Sequence, residues 1–110
     1  MSFAVRLLPE ALRTVAASGF TGSYQTFGTP LAHQAALVKF VNNTSVTVTV
    51  SWNGTTDHDV YPMGSFTIYD VTSNTQRENG LYIAKGTQFY VKAAAGTGSI
   101  YLIVLYPAAG

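Results

Sequence analysis

The chain has 110 residues, of which 47% are hydrophobic, 13% aromatic and only 10% charged, with a formal net charge of +1. This length suits one domain, and the hydrophobic content is sufficient to fill a core, which excludes a disordered chain. The lack of cysteine excludes disulfides and thiolate metal sites, and the scattered distribution of six basic and five acidic residues argues against nucleic-acid binding.

The shortage of charge is the unusual feature of the composition. Soluble domains typically carry about 25% Asp, Glu, Lys and Arg, whereas this chain carries 10%. We therefore expect much of its surface to be covered by neighbouring copies or partners, or to be hydrated through its Thr, Ser and Asn side chains.

The apolar segments do not predict a membrane protein. Arg6 interrupts the apolar run in MSFAVRLLPE, so we expect no signal peptide, and synthesis in the cytoplasm. No segment approaches the roughly 20 apolar residues of a membrane-spanning helix.

Residues 1–20 form an N-terminal arm for which two conformations compete. Four apolar residues lie at helical spacing: Ala4, Leu8, Ala11 and Val15. Residues 12–16, by contrast, alternate as in a strand, and the segment continues into the β-like sequence SGFTG. The arm is therefore either extended or a short helix, and we expect it to dock on another surface because free termini are normally mobile.

Two strands are predicted before the middle of the chain. Residues 23–27 form a short strand that ends in the turn GTP, where Pro30 belongs at a sheet edge. Residues 33–41 form the next strand, with its most β-rich run at 37–41. Asn42, Asn43 and Thr44 then predict a turn.

The stretch 46–62 carries the clearest pattern. Apolar and hydroxyl residues alternate over 46–52, which predicts a half-buried strand. Asn53 and Gly54 follow, and this dipeptide favours a tight type I′ turn, so residues 55–61 should return antiparallel. With 37–41, these segments predict three consecutive antiparallel strands.

The second half of the chain continues the same rhythm. A turn at 62–64 leads into a strand at 65–71, and a long polar loop at 72–80 follows. Strands at 81–84, 87–93 and 99–106 are separated by glycine-containing turns. Eight or nine short strands at spacings of about 8–12 residues predict an all-β fold, an antiparallel β-sandwich or jelly-roll domain over residues 21–110.

The last strand is apolar on both faces. In IYLIVLY, residues 100–106, neither alternating set contains a charged residue. Such a strand at an open edge would promote aggregation. We expect the opposite sheet together with the N-terminal arm, or an adjacent subunit, to cover its second face.

No group of residues predicts catalysis or a metal site. Asp57, His58 and Asp59 form the densest ionisable cluster, but a strand would direct His58 to the opposite face from the two carboxylates, so we interpret it as a polar edge. His33 has no acidic neighbour in sequence and is interpreted as structural. No serine lies in a nucleophile elbow, and the sequence GTG at 96–98 predicts a hairpin turn. We expect no enzyme activity, catalytic residue, metal or cofactor.

Aromatic residues leave an alternative of another class open. Exposed rings stack on sugars, so Tyr24, Trp52, Tyr61 or Tyr82 would serve a carbohydrate- or receptor-binding β-sandwich module. Most aromatic residues lie at alternating strand positions, however, which favours the core or a subunit interface.

A series of turn and hydrophobic features occurs in order along residues 22–106. It comprises SY at 23–24, GTPL at 28–31, ALVKFVNN at 36–43, SWNGTTDH at 51–58, PMGSF at 62–66, GTQFYVK at 86–92 and SIY at 99–101. In this series the chain resembles a family of small virion structural proteins of tailed bacteriophages.

The resemblance implies a non-enzymatic β-domain that assembles in many copies on the phage particle. The expected location is a collar or connector ring at the head-to-tail neck, or alternatively the capsid surface as a decoration protein. The expected partners are further copies of the chain and other virion proteins such as the portal or major capsid protein, without nucleic acid or membrane. From their apolar character or loop position, we predict these interface residues: Phe3, Val5, Leu7, Leu8, Asn53, Gly54, Arg77 and Glu78.

Overall fold

The computed structural model describes residues 5–71 and 82–109, which fold into two antiparallel sheets packed face to face. The predicted all-β sandwich is confirmed. The described residues contain nine strands: β1 (Val5–Pro9), β2 (Arg13–Ala16), β3 (Gln25–Thr26), β4 (Leu37–Thr44), β5 (Val48–Ser51), β6 (Asp59–Tyr61), β7 (Phe66–Asp70), β8 (Tyr90–Lys92) and β9 (Gly98–Ala109). Of the predicted interface, Phe3, Arg77 and Glu78 lie outside the described residues, as does the loop 72–80.

The strands divide into a five-stranded and a four-stranded sheet. The larger sheet has the order β1-β9-β4-β7, and β2 also pairs with β9. The smaller sheet has the order β3-β8-β5-β6. The twelve residues of β9 therefore form a central strand of the larger sheet, with one face of the strand on the core and the other on the side of the sheet that faces outward.

The core lies between the two sheets and is aromatic at its centre. Phe40 of β4 contacts Phe27, Tyr61, Tyr69 and Phe89 with ring centroids 5.0–5.8 Å apart. Around these rings the buried strand residues alternate with exposed ones, as a two-residue period requires. The aliphatic part of the core comprises Val38, Val48, Val50, Val91, Ile100, Leu102 and Val104.

The N-terminal arm is extended, which is the first of its two predicted conformations. Both β1 and β2 pair with β9 in the plane of the larger sheet. Among the described residues the helical structure is a single 3₁₀ turn, Ala17–Gly19. The described part of the arm, residues 5–20, thus pairs with the edge of β9 and does not lie over its second face, contrary to one of the two predicted covers.

The predicted turn at Asn42, Asn43 and Thr44 is wrong, because β4 continues to Thr44. Asn42 is buried, and its amide nitrogen donates to the carbonyls of Val46 and Tyr61 at 3.0 and 2.9 Å. These bonds join β4 of the larger sheet to Val46, which precedes β5, and to Tyr61 of β6 in the smaller sheet. The predicted antiparallel pairing of 37–41 with the strand at 46–52 is also wrong, because β4 pairs with β7 and β9 and not with β5.

The predicted hairpin at 46–61 is present, but its turn differs. β5 pairs with β6, with Val48 opposite Tyr61 and Val50 opposite Asp59. Gly54 has a φ of 81°, whereas Asn53 does not have a positive φ, so the turn is not type I′. The segment between the strands is instead a wider loop with its own hydrogen bonds.

Two predictions for the second half of the chain also need correction. The segment 95–98 connects β8 of the smaller sheet to β9 of the larger one, so it is a crossover between sheets and not a hairpin turn. In the predicted strand at 81–84, Ile83 forms an isolated bridge with Ala35. The turn predicted at 62–64 is present, with the Ser65 amide donating to the Pro62 carbonyl at 3.1 Å.

Candidate assembly surface

The side of the larger sheet that faces away from the core is apolar. Its residues alternate with buried ones along β4 and β9 and lie opposite one another in the registers of β4 with β7 and β9. We call this surface the outer face; it comprises Leu37, Lys39, Val41, Phe66, Ile68, Asp70, Tyr101, Ile103 and Leu105. Phe66 and Ile68 are 62% and 46% exposed, and the described residues form no layer over them.

The outer face carries little charge. The Lys39 ammonium lies 5.2 Å from the centroid of the Phe66 ring, so its aliphatic part runs across the face towards β7. Asp70 lies at the opposite end of β7 from Phe66. Such a surface suits an apolar partner better than a polar ligand, because burying its side chains displaces water without leaving many polar groups unpaired.

The larger sheet narrows to two strands at one end. β4 pairs with β9 up to Leu105, and beyond that point β9 pairs with β1 among the described residues. We call this two-stranded projection, Val5–Pro9 with residues 105–109, the ribbon. It contributes to an elongated shape of 53 × 24 × 20 Å. Two-stranded ribbons are only marginally stable in water, so the ribbon is a second candidate contact.

The predicted interface residues are divided between different parts of the molecule. Leu7 of the ribbon is 47% exposed and lies opposite Pro107, on the same side as the outer face. Leu8 is half-buried and faces the other side. Asn53 and Gly54 lie in the β5–β6 loop of the smaller sheet, so the structure does not bring them together with the ribbon.

The β5–β6 loop is fixed by its own side chains. The Ser51 hydroxyl accepts hydrogen bonds from the amides of Asn53 and Gly54. Asn53 Oδ1 accepts from the amides of Thr55 and Thr56, both at 2.9 Å. Asn53 thus serves the internal structure of the loop, which weakens the prediction that its side chain contacts a neighbour.

The ionisable cluster at 57–59 is divided, because each of its three side chains has different hydrogen-bond partners. Asp57 accepts from Lys92 at 3.0 Å and from the Tyr24 hydroxyl, and Tyr24 in turn lies under the Lys92 ammonium. His58 Nδ1 accepts a hydrogen bond from the Trp52 amide. Asp59 accepts from the Tyr69 hydroxyl. Within the described residues, no cluster of His, Cys, Asp or Glu side chains has the arrangement of a metal site.

Tyr61 and Tyr69 remain neutral through the ordinary pH range. Their hydroxyls lie 3.0 Å apart beside Asp59. Burial and the hydrogen bond to the Asp59 carboxylate raise the pKa of Tyr69 to about 12, and burial with the neighbouring Tyr69 raises the pKa of Tyr61 further. These groups support packing and give no acid–base pair near pH 7.

The glycan-binding alternative loses one of its rings and keeps another. Tyr61 is buried in the core, and Tyr24 is covered on one face by Lys92. Trp52 is 37% exposed, with its indole edge-on to Tyr69 and Phe89. Trp52 therefore remains available as a stacking ring, and so does Tyr82, which is half-buried.

A buried ionic cluster, which we call the Glu10 clasp, was missed by sequence reasoning. Glu10 accepts from Arg13 at 2.8 Å and from His33 Nδ1 at 2.9 Å, and its side chain is almost fully buried. Arg13 also donates to the carbonyls of Thr29 and Pro30 at 2.9 and 3.0 Å. His33 stacks on Tyr106 at the base of the ribbon, with ring centroids 3.6 Å apart. Glu10 and His33 are 23 residues apart in the sequence, so no local pattern indicates their contact.

The clasp predicts a loss of stability at acid pH. Burial opposes ionisation of Glu10, but hydrogen bonds from His33, Arg13 and the Ala32 amide outweigh it and hold the pKa of this carboxyl below its ordinary value of 4.5. Because the folded-state pKa is lower than the unfolded one, the stabilisation is complete above about pH 4.5 and is lost as the pH falls through the folded value.

We expect Glu10→Gln to lower the free energy of unfolding by about 1.5–3 kcal/mol at pH 7, since hydrogen bonds to a charged group are lost. The difference from the wild type should shrink as the pH is lowered from 5 to about 3. Urea denaturation of both proteins at several pH values measures this difference in the free energy of unfolding. A difference that does not change over this range would contradict the assignment.

Comparisons with protein-family models, curated proteins and solved structures found no match to this chain. Among the described residues, no helix is long and apolar enough to span a membrane.

Proposed function

We propose that the chain is a structural component of a tailed-bacteriophage virion that acts by assembling in multiple copies, at the head-to-tail neck as part of a collar or connector ring. The observation that carries the proposal is the outer face, an apolar sheet surface without a covering layer among the described residues. The charge content of 10% supports it, and the resemblance over residues 22–106 supplies the viral setting.

Burial of the outer face supplies the driving force for assembly. Complete burial of a side chain such as Phe66 or Ile68 contributes about 1.5–3 kcal/mol relative to full exposure. Association costs at least about 4 kcal/mol in lost translational and rotational freedom. Several side chains must therefore be buried together, and an extended sheet face meets this requirement where an isolated exposed residue does not.

The capsid surface is the alternative location. A decoration protein would use the same kind of apolar surface against the major capsid protein, whereas a neck protein would contact the portal and its own neighbours. Imaging of native particles with a labelled antibody against the chain separates the two. Label at the neck supports the proposal, label over the capsid supports the alternative, and absence of the chain from purified particles contradicts both.

Association is tested by a charge placed on the outer face. We expect Ile68→Lys to weaken self-association at least tenfold, because the ammonium must be buried in any contact through this face. Light scattering coupled to size-exclusion chromatography over a range of concentrations measures the effect. A point substitution is preferable to deletion of the arm, because β1 is part of the sheet and Glu10 holds the clasp.

Val60→Lys is the matched control for this experiment. Val60 is also a β-branched strand residue and is 52% exposed, but it lies in β6 of the smaller sheet. Both variants should keep the circular dichroism spectrum of the wild type. Equal weakening by both substitutions, or a monomeric wild type at high concentration, would contradict assembly through the outer face.

A further inference from the structure

The ribbon is protected against pairing through its strand edges. The carbonyl of Leu105 accepts from the Ala36 amide, whereas that of Val104 accepts from the Glu10 amide, so odd-numbered residues of β9 direct their main-chain groups away from β1. Pro107 therefore removes a donor from the open edge of β9. Pro9 lies opposite Leu105, so its main-chain nitrogen also points away from the partner strand, and the proline removes an N–H donor from the open edge of β1. Proline at these positions disfavours the addition of another strand.

The ribbon does have an apolar side that continues the outer face. Leu7 lies opposite Pro107, and Pro9 lies opposite Leu105, which itself belongs to the outer face. The outer face spans three strands about 4.8 Å apart and about 17 Å long, which outline roughly 250 Å², and the ribbon adds roughly 150 Å². The accessible area is larger than this flat outline because side chains project. The outline alone is about half of the roughly 800 Å² per partner that a standard interface buries.

We propose that the occupant of this surface is a second copy of the chain, packed sheet on sheet about a two-fold axis near Ile103. The axis runs across the strands, so the ribbon of each copy lies over the Tyr101 end of the other. The contact uses side chains and not strand addition. The inference rests on the proposed function and specifies the partner of the same surface. A two-fold contact closes on itself, so a ring is built from such dimers through other surfaces.

Charge and shape both favour a second copy. Lys39 extends towards Phe66, while Asp70 lies at the other end of β7, about 13 Å away for four residues. A two-fold axis across the strands reverses these ends, so the Lys39 ammonium of each copy approaches the Asp70 end of its partner. Apart from Asn43 and Ser99 beyond Tyr101, the remaining surface is apolar on both copies, and aligned sheets pack at about 10 Å with interdigitated side chains.

Single cysteines test the arrangement cleanly, because the chain has none of its own. The test uses a bis-maleimide reagent of about 10 Å, the spacing of packed sheets. We expect Ile103→Cys to cross-link to itself, since it lies near the axis. Leu7→Cys should not cross-link to itself but should do so when mixed with Tyr101→Cys, with at least ten times more dimer than the exposed control Val60→Cys gives.

Other patterns overturn the dimer. Cross-linking of Leu7→Cys to itself would indicate pairing between ribbon edges, and cross-linking of Val60→Cys equal to that of Ile103→Cys would indicate random collision. Circular dichroism of each variant excludes misfolding as the cause. If the expected pattern is found but the chain is absent from particles, the viral role fails alone; if the chain is in particles with another pattern, the dimer fails alone.

Discussion

Replacing Asn42 with Asp is expected to lower the free energy of unfolding by about 3–5 kcal/mol, as removal of one partner does in a buried polar cluster. Asn42 Nδ2 donates to the carbonyls of Val46, Tyr61 and Pro62 at 2.9–3.2 Å. A carboxylate oxygen in its place would have no proton to donate and would face three carbonyl oxygens. The loss is a large part of the 5–15 kcal/mol that stabilises a typical domain.

Asn43→Asp is the control, because it makes the same chemical change at an exposed neighbouring position of β4. We expect it to change the free energy of unfolding by no more than about 0.5 kcal/mol. The deficit of Asn42→Asp should also shrink at pH 4, since burial raises the pKa of the new carboxyl and its protonated form can donate one hydrogen bond. Urea denaturation at pH 7 and pH 4 measures both effects. Equal losses at the two positions would refute the role assigned to Asn42.

Alternation made the strands predictable but not their partners. Residues 48–51 of the predicted strand 46–52, and all of 99–106, are strands in the structure because period-two patterns reflect burial on one face. Which sheet each strand joins depends on contacts between distant residues. Consecutive strands β4 and β5 therefore lie in different sheets, although the sequence favoured direct pairing.

Local turn preferences failed where buried hydrogen bonds compete with them. Asn42 and Asn43 have strong turn preferences, yet β4 continues through both. The Asn42 amide donates to the carbonyl of Val46, which follows β4, and to those of Tyr61 and Pro62 at the end of β6. Asn53 was predicted to adopt a positive φ, but its side chain instead caps the amides of a wider loop. The outcome at Asn42 depends on Tyr61 and Pro62, which lie 19 and 20 residues further along the chain.

The candidate surface was only half predictable. The two-sided apolar pattern of β9 indicated that something covers its second face, and the structure assigns that face to the outer side of the sheet. The contributions of Phe66 and Ile68 depend on the pairing of β7 with β4, which is not evident from their own segment. The Glu10 clasp joins residues 23 positions apart, so the charge pattern of the sequence could not indicate it.

Phe40→Ala is expected to lower the free energy of unfolding by about 3–5 kcal/mol and the Tm by more than about 12 °C. The Phe40 ring is the centre of the aromatic core and contacts four other rings, three of them from the opposite sheet or its flanking segments. Its removal leaves a cavity that rigid strands on both sides cannot close. Thermal unfolding followed by circular dichroism measures the loss.

Phe66→Ala provides the matched comparison, since it removes the same side chain from the other face of the same sheet. Phe66 is 62% exposed and lies under the Lys39 ammonium of its own chain, so we expect the monomer to lose less than about 1 kcal/mol. Its self-association, however, should weaken at least tenfold, because the ring becomes buried only against the second copy. Phe40→Ala thus affects folding and Phe66→Ala affects assembly. If Phe66→Ala unfolds the monomer as strongly as Phe40→Ala does, or leaves association unchanged, the outer face is not the contact surface.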